Sequence, residues 1–377
     1  MLRILFALLI GALPAAACIW DRDTLREEAK GRLDTVKVIT GWFDRYPPRY
    51  YEMRLERVTR ELESDPRNLD LYDDAGVACD RLGRYDDAIG WMEKKKVMLD
   101  DLPSEGAEMD RYRYHSNLGS FLGNRWATKP EKERDADSSD LRSAADEISE
   151  ALRLNPDAHF GREVYQLQLF EWLLLGFGEE PVGYGNFLYL RNLSTRPNQH
   201  AELNLEEAEA GLAGLIHLGS AWESIDVFDA LGAVVQADGA SSVAALTSWR
   251  IKELWDAGNR SLNPMRSDIM SGGRFFVENA TDLQKWYSET MAKSAGRRQA
   301  WLAYQEERFE MGRHPDTDPD FWNDWKEPAF PKLLWNPIKS RGLMGNVQLV
   351  FVGLALAAIA FYFLSKYRSK RKSLAAA

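Results

Sequence analysis

Apolar positions recur every three or four residues over most of the chain between residues 21 and 338, and no long stretch alternates with a period of two. That period lines one face of an α-helix, so the pattern predicts an all-α chain. Thr24-Leu-Arg-Glu27 has the form of a capping box, in which the Thr hydroxyl accepts from an amide near Glu27 and the Glu reaches back. Pro47-Pro48 suits the start of a second helix that runs to about Glu63, because a first-turn proline gives up no helical hydrogen bond. Helical periodicity returns over Leu69–Leu102, from Leu118, over His159–Leu175 and from Ile225. The longest predicted helix covers about Asp282 to Met311, with Leu283, Trp286, Met291, Trp301 and Phe309 in its stripe. Thr281 and Gln284 could cap it, and His314-Pro315 would end it.

Within this pattern, Leu69–Leu102 resembles a tetratricopeptide repeat, a helix–turn–helix unit of 34 residues. Tyr72 takes the large aromatic place, Ala75-Gly76 the Leu-Gly pair, Gly83 the turn and Ala88 the small place on the second helix. Small residues at Gly76 and Ala88 let two helices approach closely, and Gly83 permits a tight turn. Lys95 departs from the pattern, which has a small residue there. A second copy is split: Leu118-Gly119 opens it, and Ala144, Ile148, Ala151 and Pro156 close it, with about 13 extra residues in the polar stretch Asn124 to Asp140. A late copy carries Phe228, Gly232, Gly239 and Ala244 at the spacings of the first. Cys18–Leu25 and Asn155–Glu163 resemble stretches of an uncharacterised family of bacterial envelope proteins with such repeats. The resemblance implies a degenerate repeat solenoid that works by binding another protein.

The two ends point to a compartment. Met-Leu-Arg, the apolar run Ile4–Ile10 and the small residues up to Ala17 form a secretory signal peptide over 1–17, too short to span a bilayer. Ala15-Ala16-Ala17-Cys18 resembles a bacterial lipobox, which would lipidate Cys18; ordinary signal-peptidase cleavage is the other outcome. Near the C-terminus, Gly342–Ser365 is 24 residues without a charge. About 20 apolar residues cross the hydrocarbon core, so a transmembrane helix is expected over 343–365. The tail 366–377 carries Lys366, Arg368, Lys370, Arg371 and Lys372 and no acid, which keeps it cytoplasmic. The expected order is signal peptide, an N-terminal helical cap over 18–66, the repeat region over 67–265, a capping helix with a Pro- and Trp-rich juxtamembrane stretch over 266–338, the span and the basic tail. This places the large domain in the periplasm, on the inner membrane.

Charge and composition narrow the chemistry. A net charge of −10 argues against a nucleic-acid partner. Two cysteines cannot build a disulfide framework or a Cys-based zinc site, and the five histidines show no His-Glu-x-x-His spacing. No Gly-x-Ser-x-Gly elbow and no phosphate-loop motif occurs, so no catalytic, cofactor or metal residues are assigned. The resemblance implies that the first helix of each unit lines a concave groove. Here those places include Asp70, Asp73 and Asp80, then Ser116 and Asn124, then Asp226 and Asp229. Aspartates in such a groove would favour a basic segment of an envelope protein, and all of these positions should then face solvent. Two other readings stay open. One is a metal- or thiol-handling lipoprotein built on Cys18 with Asp21 and Asp23; the other is a lipoprotein scaffold bridging the two membranes, suggested by Ile19 after the cysteine.

Overall fold

The computed structural model describes residues 34–103, 106–156, 161–177, 186–188, 203–266 and 280–333. The signal peptide over 1–17, Cys18, the expected span over 343–365 and the basic tail lie outside them. Among the described residues all regular structure is helical, and no helix there is long and apolar enough to cross a membrane. The helices are α1 (Thr35–Ile39), α2 (Pro48–Ser64), α3 (Leu69–Arg81), α4 (Tyr85–Asp100), α5 (Glu108–Thr128) and α6 (Glu131–Ala136). They continue as α7 (Ser139–Leu154), α8 (Arg162–Leu175), α9 (Leu205–His217), α10 (Ile225–Ala237), α11 (Ser241–Asp256) and α12 (Ala280–Glu310).

Local chemistry sets the boundaries. Pro48 stands in the first turn of α2. The Asn204 side chain accepts from the amides of Glu206 and Glu207 at the start of α9, and the Ser224 hydroxyl accepts from Val227 at the start of α10. The turns that end α3 and α10 are built alike. Arg84 N donates to Cys79 O at 2.8 Å and Ala240 N to Val235 O at 2.8 Å, across Gly83 (φ 72°) and Gly239 (φ 87°). This is the Schellman closure, which needs a left-handed residue that glycine adopts without a Cβ clash. The same hydrogen bond, Arg313 N to Arg308 O, stops α12 ahead of His314-Pro315.

Helices pack largely on their neighbours in the chain: α2 on α3, α3 on α4, α4 on α5, α5 on α7, then α7 through α11 in order. Small residues sit at the closest approaches. A Cβ on Gly76 would stand 2.9 Å from Phe121 Cε2 and 3.0 Å from Met92 Cε; one on Gly119 would stand 2.9 Å from Ile148. Ala88, Ala144, Ala151, Phe228 and Ala244 are fully buried, Tyr72 and Gly232 are buried, and Pro156 is exposed. Tyr72 also donates its hydroxyl to Pro66 O at 3.0 Å. Cys79 is a free, buried thiol, which burial pushes up to about 11.

One expectation needs correction. The stretch from Asn124 to Asp140 is not a wholly polar surface turn. Helix α5 continues through it to Thr128, because Asn124 and Trp126 are buried, and the exposed part is the short helix α6. The Pro- and Trp-rich stretch is described as far as residue 333. It folds back along α12: Trp322 stacks on Trp301 with ring centroids 4.1 Å apart, and Arg308 grips Asp324 at 2.6 Å. Helix α12 packs on α11, and at its other end on α2. The first and last described segments therefore meet. Arg297 of α12 donates to Glu327 at 2.6 Å, to Asp44 at 2.7 Å and to Phe43 O at 3.4 Å. Arg54 and Arg57 of α2 both reach Asp316 at 2.8 Å.

Candidate functional site

The seven groove positions come from α3, α5 and α10. The expectation that they face solvent fails for six of them: Asp73, Asp80, Ser116, Asn124, Asp226 and Asp229 are each 4% exposed or less. Asp70 alone is open, at 68% side-chain exposure, and it accepts from Arg113 at 2.6 Å.

The reason is that neighbouring first helices stand close enough to use these side chains on one another. Asn117 Nδ2 donates to Asp73 Oδ1 at 3.0 Å, and Asn124 Nδ2 donates to Asp80 Oδ1 at 2.8 Å. Both pairs join α3 to α5 with the same offset of 44 residues, two turns apart along each helix. The pattern continues from α5 to α8. Tyr112 donates its hydroxyl to Glu163 Oε1 at 2.6 Å, Ser116 adds a second bond there at 3.3 Å, and Gln166 Nε2 donates to Ser120 Oγ at 3.3 Å. Buried polar groups are tolerated only with such partners.

Lys95 finds its explanation in the same row. The fully buried ammonium lies 2.6 Å from Asp73 Oδ2, so a charge replaces the small residue of the repeat pattern. The aspartates of α10 also find partners: Asp229 faces Arg266 at 3.5 Å, and Asp226 accepts from the Leu262 amide at 2.9 Å. Arg81, the last first-helix place of α3, crosses to the end of α9 and donates to Leu218 O at 2.8 Å and Gly219 O at 3.0 Å.

Burial dominates the electrostatics. It holds Asp73 up at about 6 against the opposing pull of Lys95, and it holds Asp80 at about 6 against Arg81 and the Asn124 bond. Burial likewise raises Asp226 above the usual carboxylate range. A row of this kind specifies register between helices. It offers a partner few free oxygens.

Sequence reasoning named Asp73, Ser116 and both members of the Asp80–Asn124 pair, noted Lys95 only as a departure from the repeat, and missed Asn117, Tyr112, Glu163 and Gln166. A signal was present: Asp73 and Asp80 are seven apart, and so are Asn117 and Asn124. Among the described residues no group of three or more His, Cys, Asp or Glu is placed to hold a metal ion. Cys18, proposed for lipidation or for a metal or thiol site, lies outside the described residues. No protein-family model matches the chain, and no curated protein or solved structure matches it.

Proposed function

We propose that the chain is a tetratricopeptide-like scaffold of the bacterial periplasm, anchored in the inner membrane by residues 343–365, that holds another envelope protein. One observation carries this reading. The α3–α4 and α10–α11 pairs close through the same glycine turn, small residues sit at the closest helix approaches, and buried side-chain hydrogen bonds tie α3 to α5 and α5 to α8. Such a row is a stiff platform assembled from like units, an architecture suited to presenting extended surface. The partner docks outside the first-helix row, whose polar positions are already engaged. The acidic balance of the chain, −10 overall, favours a basic partner segment.

Affinity purification of the full chain from its own membranes tests this. One protein recovered in near-stoichiometric amount at low salt, and less of it as salt rises, is the expected result. A chain that purifies alone after in-cell crosslinking would rule the scaffold reading out.

A further inference from the structure

Three arginines from distant parts of the chain converge around one indole, and a fourth, Arg81, acts on one of them. Arg45 comes from the loop before α2, Arg81 from α3, Arg250 from α11 and Arg298 from α12. Trp222 lies in the single 3-10 turn between α9 and α10. The Arg250 guanidinium carbon lies 3.9 Å from the Trp222 ring centroid, that of Arg45 lies 4.4 Å away and that of Arg298 6.0 Å away. Arg45 also lies 4.5 Å from the Phe43 ring, which meets Trp222 edge-on at 5.4 Å. The indole itself is pinned. A Cβ on Gly41 would come within 2.8 Å of its edge, and Arg250 Nη2 donates to Trp222 O at 3.0 Å.

Stacking satisfies the faces of these guanidiniums and leaves their edges. Three of those edges carry buried donors with no hydrogen-bond partner among the described residues: Arg45 Nη2, Arg250 Nε and Arg298 Nε. Arg81 differs, because its donors are spent on the carbonyls that end α9. The local charge is one-sided. Glu223 is the carboxylate that acts on Arg45, Arg250 and Arg298 alike, and Glu253 adds a second on Arg250. Guanidiniums outnumber the carboxylates that act on them, so the cluster carries a positive excess. Burial first, then the neighbouring guanidiniums of Arg298, Arg250 and Arg81, push Arg45 well below the ordinary arginine range. A guanidinium does not give up its proton at physiological pH, so this strain is relieved by an anion. The group is not sealed: Arg45, Arg81, Arg298 and Trp222 are partly exposed, and Glu223 is exposed.

We propose that Arg45, Arg250 and Arg298, arranged around Trp222, bind a doubly charged tetrahedral oxoanion of the phosphate class, either free phosphate or a phosphate monoester. Its negative charge complements the positive excess, and its oxygens can accept from several donors at once, as guanidinium edges favour. The site is independent of the scaffold reading, since its donors on Arg45, Arg250 and Arg298 lie outside the first-helix row.

The test is calorimetric titration of the purified full chain with inorganic phosphate and, in a second arm, with glycerol phosphate, both at ionic strength matched with sodium chloride. Saturable one-to-one binding of one or both is expected, and the tighter arm identifies the source. Arg45→Gln and Arg298→Gln should each weaken binding by about tenfold or more, the loss expected for a charge-assisted hydrogen bond. Without phosphate neither should melt below wild type, because each removes a repelling charge. A reading that needs no variant accompanies this: phosphate should protect Arg45 and Arg298 of the wild-type chain from phenylglyoxal, as mapped by mass spectrometry. No saturable binding in either arm, affinity unchanged in both variants, or modification unaffected by phosphate would each overturn the proposal.

Discussion

Asp80 shows how a side chain can join two helices and still oppose stability. Its carboxylate is buried against Asn124, and burial holds it at about 6, above the ordinary carboxylate value. Between that ordinary value and 6 the folded chain binds more protons than the unfolded chain, so this group's contribution to stability falls as pH rises through the window. Asp80→Asn keeps an oxygen that can accept from Asn124 and removes the charge. The variant should be more stable than wild type by about 1–3 kcal/mol at pH 7.5, and the gain should vanish by about pH 4. Urea unfolding at both pH values checks it, and a variant less stable at pH 7.5 would show that the charge is needed. The aspartates were legible in the sequence as a pattern; their surroundings were not. Position within a repeat says which way a side chain leaves its helix. Whether water or another helix waits there depends on the approach of α5 and α8, which no local pattern encodes.

At the scale of elements, close approach explains both what was legible and what was missed. Gly76, Gly83 and Ala88 announce the α3–α4 pair because each answers a steric demand that can be read locally. Gly76→Val tests the demand. Its branched side chain would start from a Cβ already 2.9 Å from Phe121 and 3.0 Å from Met92. The expected loss is about 1–3 kcal/mol from overpacking alone, seen as a lower melting temperature of the full chain. Helix α9 is not singled out in the sequence reading although Asn204 and Glu207 mark its start, because in its Ala- and Gly-rich body the large apolar residues are few, Leu205, Leu212, Leu215 and Ile216. Gly211 explains that composition: Tyr165 of α8 lies so close that a Cβ there would come within 2.3 Å of its ring. The end of α5 was misplaced for the opposite reason. Asn124 and Trp126 look like polar turn and surface aromatic in sequence, yet Asp80 and Phe177 claim them.

For the whole molecule, the decisive contacts join residues more than 250 apart, and sequence periodicity carries no information about them. Asp316 accepts from Arg54 and Arg57, with the Arg54 and Asp316 side chains fully buried, and Arg297 ties α12 to Asp44. The described helices thus form a row whose two ends are locked together, with its inner polar face sealed. Removing one member of a buried ion pair typically costs ~3–5 kcal/mol, because the other charge stays behind. Hydrogen exchange of the full chain, comparing wild type with Asp316→Ala, reads this closure directly. If the ends are locked, amides of α2 and α12 are protected to a similar degree in wild type and lose protection together in the variant. Rapid, independent exchange of α12 in wild type, or an Asp316→Ala variant that leaves both helices as protected as before, would contradict it.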